Sequence, residues 1–516
     1  MIAELIEGAV TAVHAYFAQP IPVLGFGLSR IALGLVFVVD GLMMLRDHDT
    51  WYGADALRPT GPAEGAPSRW DPMGWVERHG GSSRSIVMMM VASAVAFGLG
   101  LATTLSGALL LLTLVMIPLR NRFIVYGGDA FARTVLLLLL LSPCGSSVGI
   151  DRWLSDGTAG LDAQAPAWGG RLVQLEVAAL YLTNFIAKVP SAAWRKGAVM
   201  IDLLRNRNFA RRDVPSVLTR PTVGRLMTWG ALTAELVLGP ALLVAPTAAV
   251  ACAAAIAFHI AIARLIDVHL FSAVMVASLL SLLPADLLRT VGSMEPVSAV
   301  VPMSLAHALA LGLVLVYGVY AVSSDWPGQR QGSTRLRWLR APLRWIGWNR
   351  GWRLFTTSAP TGIEVEITVI DARAQAVQWS WDGPRDLLPR SPRAIPVWPG
   401  HRFQRFTFSL VREVQARQRL VARFRAALRD ADIVVRGWSI DVLYVEVHGR
   451  VIEGGLNVGA QVASTADGRP DVEAAARLAE AVRCPPTRDR LGALARLVSR
   501  SNDNPQPCRP SISEAS

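Results

Sequence analysis

The chain has 516 residues, 52% of them hydrophobic and only 17% charged, with a formal net charge of +12, whereas a soluble chain of ordinary composition carries about 25% charged residues. Its four cysteines form no C-x-x-C pair, so neither a disulfide framework nor a zinc site is signalled. The basic excess does not point to nucleic acid, because the arginines sit in short loops beside long uncharged runs, where anionic lipid headgroups attract them.

A membrane span needs about 20 predominantly apolar residues. The runs predict spans at 22–45, 86–103, 105–120, 128–145, 170–188, 226–246, 247–265, 270–285 and 302–322. Residues 1–18 lack the positive n-region of a cleaved leader, so the first span is expected to direct insertion. Spans two and three are separated only by Thr103–Gly107, and six and seven are split at Pro246. Counts of eight or ten spans stay open at these joins. Positive residues crowd the 46–85, 120–133 and 188–225 connections and the stretch after span nine, and they are nearly missing from 103–107, 146–169 and 286–301. Nine spans with the N-terminus outside and the C-terminal part cytoplasmic satisfy the positive-inside rule.

Residues 335–353, RLRWLRAPLRWIGWNRGWR, carry Trp338, Trp345 and Trp352 every seven residues among arginines. Rings inward and cations toward headgroups is the pattern of a segment lying in the membrane interface. A substrate- or RNA-binding patch is the other reading. An α+β domain is expected next. Ile363, Val365, Ile367 and Val369 alternate with polar residues as a half-buried strand does. A second strand is expected at Ala376–Trp381, a helix over Phe406–Leu428, strand character over Ile433–Val447 and a last helix at Val472–Arg483. The polar tail after Asn502 is expected to be disordered.

Ionisable residues inside spans are costly and are functional candidates by default. They are Arg30, Asp40, Asp129, Arg133, Glu176, Lys188, Glu235, His259, Arg264 and His307. Several have plainer readings: Arg133 and Arg264 snorkel, Asp40 pairs with a loop arginine, and His307 is a hydrogen-bonded core residue. Metal-ligand spacing is lacking among them. Lys188 stands apart. The 51 basic residues include only two lysines, Lys188 and Lys196. Arginine stays protonated, whereas a buried lysine can shift its pKa and act as a base. Gln174, Tyr181, Asn184 and Lys188 share one helical face and could line a polar pocket, with a snorkelling lysine at a span end as the plain alternative. The second constellation is RNRFIVYGGDAFAR, Arg120–Arg133. Gly127 and Gly128 permit close backbone approach and unusual dihedrals. Asp129 either caps the helix or joins Arg120 and Asn121 in a polar cluster at the cytoplasmic face, where the topology also puts Lys188.

These residues resemble the HTTM family, the membrane domain shared with vitamin K-dependent gamma-carboxylases. The resemblance rests on RIALGLVFVVDGL in span one, RNRFIVYGGDAFAR before span four, YLTNFIAKVPSAAWRKG at the end of span five, and FHIAIARLIDVHLFSAVMVASLLSLLP over spans seven and eight. It covers about residues 22–322 and extends to the W-x-W-D stretch at Trp379–Asp382. It implies oxygenation of a reduced quinone coupled to proton removal from a glutamate side chain, with Lys188 at the position of the base that deprotonates the hydroquinone. Where the carboxylases carry an assisting histidine this chain has GGD, so it looks like the bacterial-type HTTM proteins with that motif. The long substrate-binding region of eukaryotic carboxylases is missing. The resemblance also puts the active site at the secretory lumen, whereas the charge pattern puts Lys188 at the cytoplasmic side.

The expected architecture is an all-α polytopic membrane bundle of about nine transmembrane helices followed by a small α+β soluble domain. Its units are an HTTM-like transmembrane domain at 1–322, a Trp/Arg-rich interfacial connector at 323–355, the soluble domain at 356–500 and the tail at 501–516. The expected function is a multi-pass membrane enzyme using Lys188 as base on a quinone-like or lipid-soluble substrate. Asp129 and His259 act with it, and Arg120, Asn121, Gly127, Gly128, Tyr181, Asn184 and Glu235 shape the pocket. A reduced quinone is implied by the resemblance, and membrane lipids are the expected partners. The alternative is a non-catalytic membrane protein, either transporter-like or a partner in a membrane complex.

Overall fold

A computed structural model describes, apart from isolated residues, 15–292, 362–381, 401–445 and 454–481, with breaks at 54–55, 60–70, 207, 212–213, 431–432 and 465–468. Span nine at 302–322 (Gly312 apart), His307, the Trp/Arg connector and the tail lie outside the described residues.

Each of the first eight expected spans holds a helix: α1 Leu24–Arg46, α2 Ser83–Leu99, α3 Thr103–Arg120, α4 Gly127–Leu140, α5 Trp168–Lys188, α6 Pro221–Leu243, α7 Ala245–Leu265 and α8 Leu270–Leu280. Among the described residues four of these, α1, α3, α6 and α7, are long and apolar enough to cross a membrane. In α1 the buried face runs Phe26, Arg30, Leu33, Phe37, Asp40 and Met44, at the spacing of one helical stripe. The opposite face exposes Ile31, Leu35, Val39 and Leu42. Ionisable groups inside and leucines outside invert the soluble pattern, as expected where the surroundings are hydrocarbon.

Packing follows the chain. Helix α1 lies on α2 and α8, α2 on α3, α5 on α6, and α7 on both α6 and α8. At the α1–α2 crossing a Cβ on Gly34 would stand 2.6 Å from the Gly98 Cα. Two glycines there let the backbones touch, the usual device where helices pack without a hydrophobic drive between them. The joins differ from those expected. The α2–α3 turn falls at 100–102 with Thr103 already helical, and α6 stops before Val244, so that Pro246 sits in the first turn of α7. That placement leaves no internal carbonyl without a donor. Helix α4 ends at Leu140, short of the expected 145, and α8 at Leu280. Pro143 and Pro284, just beyond, cannot prolong them. Strands Pro20–Pro22 and Gln164–Pro166, which carry no alternation to announce them, pair ahead of α1 and α5.

The C-terminal region has four antiparallel strands: β1 Gly362–Ile370, β2 Ala376–Trp381, β3 Gly437–Val445 and β4 Gly454–Val462, ordered β2-β1-β3-β4. Helices α9 His401–Arg412, α10 Val414–Asp430 and α11 Val472–Ala481 complete it. Val365, Ile367, Val369, Trp438, Ile440 and Val442 are buried, as are Phe406, Leu410, Leu420 and Phe424 of α9 and α10. The single helix expected over 406–428 is two, broken at Glu413. Strand β4 was not expected, because GGLNVGAQV is glycine-rich and its alternation is broken by a bulge opposite Ile440 and Asp441.

Helix α9 lies along the chain ahead of α4. The Ser409 hydroxyl donates to the Phe123 carbonyl at 3.0 Å, and Arg405 Nε to that of Val125 at 3.2 Å. Arg122 pairs with Glu413 at 2.9 Å. Asn208 bonds both backbone groups of Ile363.

Candidate functional site

Helix α5 presents Gln174, Tyr181, Asn184 and Lys188 along one buried face, as their spacing predicts. That face meets α6 and α7. The Lys188 ammonium bonds the Glu235 carboxylate, and its Nζ stands 4.7 Å from the Trp194 ring centroid. Seven residues back, the Tyr181 hydroxyl is 2.9 Å from His259 Nε2. Gln174 donates to the Leu242 carbonyl of α6, and Asn184 Nδ2 to that of Leu180 at 3.0 Å. Phe258 and Phe271 border the imidazole. Lysine, tyrosine and tryptophan of the YLTNFIAKVPSAAWRKG segment therefore have linked tasks. Tyr181 orients His259, and the Trp194 face supports the Lys188 cation.

Three polar atoms of this cluster are buried without a hydrogen-bond partner among the described residues: Glu235 Oε2, His259 Nδ1 and Asn184 Oδ1. Such atoms are costly to leave unmatched. The cluster offers one amine, one carboxylate, one imidazole and one phenol, which together can hold a proton and pass it on.

Asp129 belongs to a second centre. Its carboxylate accepts from the Tyr126 amide at 3.1 Å, closing the first turn of α4. The capping reading therefore holds. Neither Gly127 nor Gly128 takes a positive φ. Gly128 instead provides room, since a Cβ would meet the Tyr126 ring at 2.3 Å. Tyr126 in turn accepts through its hydroxyl from the Leu270 amide at 3.0 Å, which ties α4 to α8.

Asp129 and Asn121 line a cavity of about 30 Å³ together with Asp40, Tyr52, Arg133 and Arg402. That is room for about one or two waters, and neither Lys188 nor His259 lines it. The Arg120–Asn121–Asp129 cluster does not form as expected. Arg120 turns away to bond Glu77 and, at 2.5 Å, Asp71. Asn121 Nδ2 donates to the carbonyls of Trp51 at 2.8 Å and Leu57 at 3.0 Å. Both side chains brace the 48–58 connection, because a loop packed inward must satisfy its backbone groups.

Other candidates are also placed. Arg133 does not snorkel: it is 5% exposed and its Nη1 donates to the Leu114 carbonyl at 3.2 Å. Arg264 is exposed, and Glu176 is buried. Arg30, fully buried, donates to the carbonyls of Cys144 at 2.7 Å and Val148 at 2.6 Å, holding the turn after α4. Asp40 does pair with an arginine, but with Arg402 of α9 at 2.6 Å, both side chains being buried. Sequence reasoning missed Arg402 and Tyr52. Arg402 is one arginine among many, and nothing local distinguishes the one that enters the bundle.

No curated protein and no solved structure matches the chain. The family model for the HTTM domain matches residues 27–286, just over half of the 516. That span contains Lys188, Glu235 and His259 as well as the GGD turn, while Arg402 lies beyond it. The buried ionisable cluster thus sits inside a recognised membrane domain, and this chain belongs to the HTTM-domain family.

Proposed function

We propose that this HTTM-family membrane protein is an enzyme that moves a proton to or from a lipid-soluble, quinone-like substrate, and that the Lys188–Glu235 pair handles that proton. One observation carries the reading: an amine, a carboxylate, an imidazole and a phenol stand together, buried, in a bundle where each would be expelled unless useful. The pair holds one proton as ammonium and carboxylate and can accept another. Lys188, proposed from its spacing as a lone base, is here one half of that unit. His259 and Tyr181 extend it toward α7. A reduced quinone would supply an acidic hydroxyl and could enter from the bilayer. The GGD turn puts Asp129, already used as a cap, where the carboxylases have a histidine, so glutamate carboxylation is not part of the proposal.

The proposed topology is nine crossings with an external N-terminus and a cytoplasmic C-terminal domain, the segment at 302–322 providing the ninth. The division at residues 322, 355 and 500 is likewise proposed. In aerated liposomes holding the purified protein and a reduced quinone, oxidation of the quinol by dissolved dioxygen, which takes up the electrons once the quinol proton is removed, should fall at least about a hundredfold in Lys188→Arg, because a guanidinium stays protonated and does not act as a base. Full activity in that variant would falsify the reading. The non-catalytic alternative draws on the same ion pair, which links α5 to α6 whether or not chemistry occurs. It predicts that wild-type protein oxidises no quinol and that Lys188→Arg folds and behaves as wild type.

A further inference from the structure

The turn between α7 and α8 holds a histidine in an unusual backbone. His269 has φ 59° and ψ −133°, a region that glycine enters easily and other residues rarely. Such a conformation persists where the surroundings hold it. The His269 amide donates to Asp267 Oδ1 at 3.2 Å, and the next amide, that of Leu270, donates to the Tyr126 hydroxyl. The imidazole meets the Tyr126 ring nearly at right angles, with centroids 5.2 Å apart. Two further segments reach this ring: α9 through Gln404, and the 206–211 turn through Asn208, which in turn bonds Ile363 at the start of β1.

The bonds around the ring fix its protons. Gln404 donates through Nε2 to the Asn208 carbonyl, which has no proton to give. Gln404 Oε1 is therefore the atom turned to His269, 2.8 Å from the ring Nε2. An amide oxygen only accepts, so the ring Nε2 carries a proton. On the other side Nδ1 stands 3.0 Å from Asp267 Oδ1. Against burial, the bond from His269 and the His269 and Arg211 charges hold the Asp267 carboxyl below its usual range. The carboxylate is thus ionised and accepts as well. A ring that donates from both nitrogens is an imidazolium. Removing either proton would set a bare ring nitrogen against an oxygen, and turning the Gln404 amide over would move that repulsion to the Asn208 carbonyl. The charged and titratable groups flanking the ring are Asp267 beside it, Arg211 at 3.8 Å from that carboxylate, and Tyr126 and Asp129 at the start of α4. Arg264 is exposed at the end of α7, and on α9 Arg402 pairs with Asp40 while Arg405 donates to the Val125 carbonyl.

We infer that His269 is a pH-sensitive clasp: as an imidazolium it ties α9 of the C-terminal domain to the α7–α8 turn of the membrane domain, and loss of its proton loosens that seat. The sign follows from the bonds. The link is present at pH values where the ring is charged and Asp267 ionised, and it is lost as the pH rises through the range in which imidazole titrates, about pH 5–8. The Arg402–Asp40 and Arg122–Glu413 pairs do not titrate there, so the domain stays attached while the start of α9 opens. The clasp is independent of the proton-transfer reading.

Hydrogen exchange of peptides covering α9 tests this in full-length protein in detergent, at about pH 6 and about pH 8, after correction for the intrinsic pH dependence of exchange. Wild type should exchange at least about threefold faster at the higher pH. His269→Gln has a neutral side chain at both pH values and should exchange at the faster rate at both. Gln404→Leu keeps the imidazole but removes its acceptor on α9, and it should lose the pH dependence as well. Should His269→Gln fail to fold, Gln404→Leu and the wild-type comparison carry the test. Equal protection of wild-type α9 at the two pH values overturns the clasp. A pH dependence that survives unchanged in either folded variant assigns the titration to another group and overturns it too.

Discussion

Lys188, Glu235, His259 and Tyr181 form the buried cluster on which the proposed chemistry rests, and their energetics can be tested apart from turnover. A buried ion pair is worth little against an apolar replacement of both partners, whereas removing one strands the other. Glu235→Leu should therefore destabilise the purified protein by about 3–5 kcal/mol, while Lys188→Met/Glu235→Leu should recover most of the loss. Melting in detergent reads both, and equal damage from single and double variants would dismiss the pair as an energetic unit. Asp40 and Arg402 form a second buried pair. Asp40→Ala leaves a buried guanidinium, with a similar cost expected in the same assay. The lysine was legible because arginine fills nearly every other basic position. Glu235 was legible only as an ionisable residue in a span, since neither its partner nor the distance can be read 47 residues away.

At the scale of elements, the bundle depends on close crossings and the C-terminal sheet on its buried face. Gly34→Leu forces α1 away from Gly98 and should lower stability by at least about 1–3 kcal/mol, the usual range for overpacking; unchanged melting would mean that the crossing is looser than drawn. In the sheet, Glu366 pairs in register with Asp441. Burial pushes the Asp441 carboxyl up to about 6, against its hydrogen bonds from Asn457 and Ser439, with Glu366 adding to the rise. An unfolded aspartate titrates near ~3.9. The folded state therefore holds the extra proton between these values, and stability falls as pH rises from about 4 to about 6. Asp441→Asn should flatten that slope, as read by the melting midpoint across this range. A steeper or unchanged slope in the variant would assign the titration elsewhere. Strands β1 and β2 were legible from alternation, whereas β4 was not, since its glycines and bulge remove the period.

Over the whole molecule, the C-terminal domain is seated on the membrane domain through α9, from Arg402 at Asp40 to Glu413 at Arg122. A domain so held shares the fate of the bundle. The proposed topology sets them on one side of the bilayer and the 146–169 connection on the other. Single cysteines at Asp156→Cys and Arg425→Cys, both at exposed positions, should react oppositely with an impermeant maleimide in intact cells. The first should label from outside and the second only after lysis, and the reverse pattern would exclude the proposed orientation.

Apolar runs of bilayer length, loop arginines and the scarcity of lysine determined that this chain is a membrane protein of HTTM type and singled out Lys188. These are one-dimensional signals: hydrocarbon thickness sets a length, and anionic headgroups bias the loops. Only the tertiary structure decided which ionisable groups meet. Lys188 joins Glu235 and Tyr181 joins His259, while Asp129 shares a cavity with Asp40 and the distant Arg402. The physical reason is that burying a charge demands a partner without specifying where along the chain it lies. Partner choice follows from helix packing angles and from where α9 comes to rest, and neither leaves a period in the sequence.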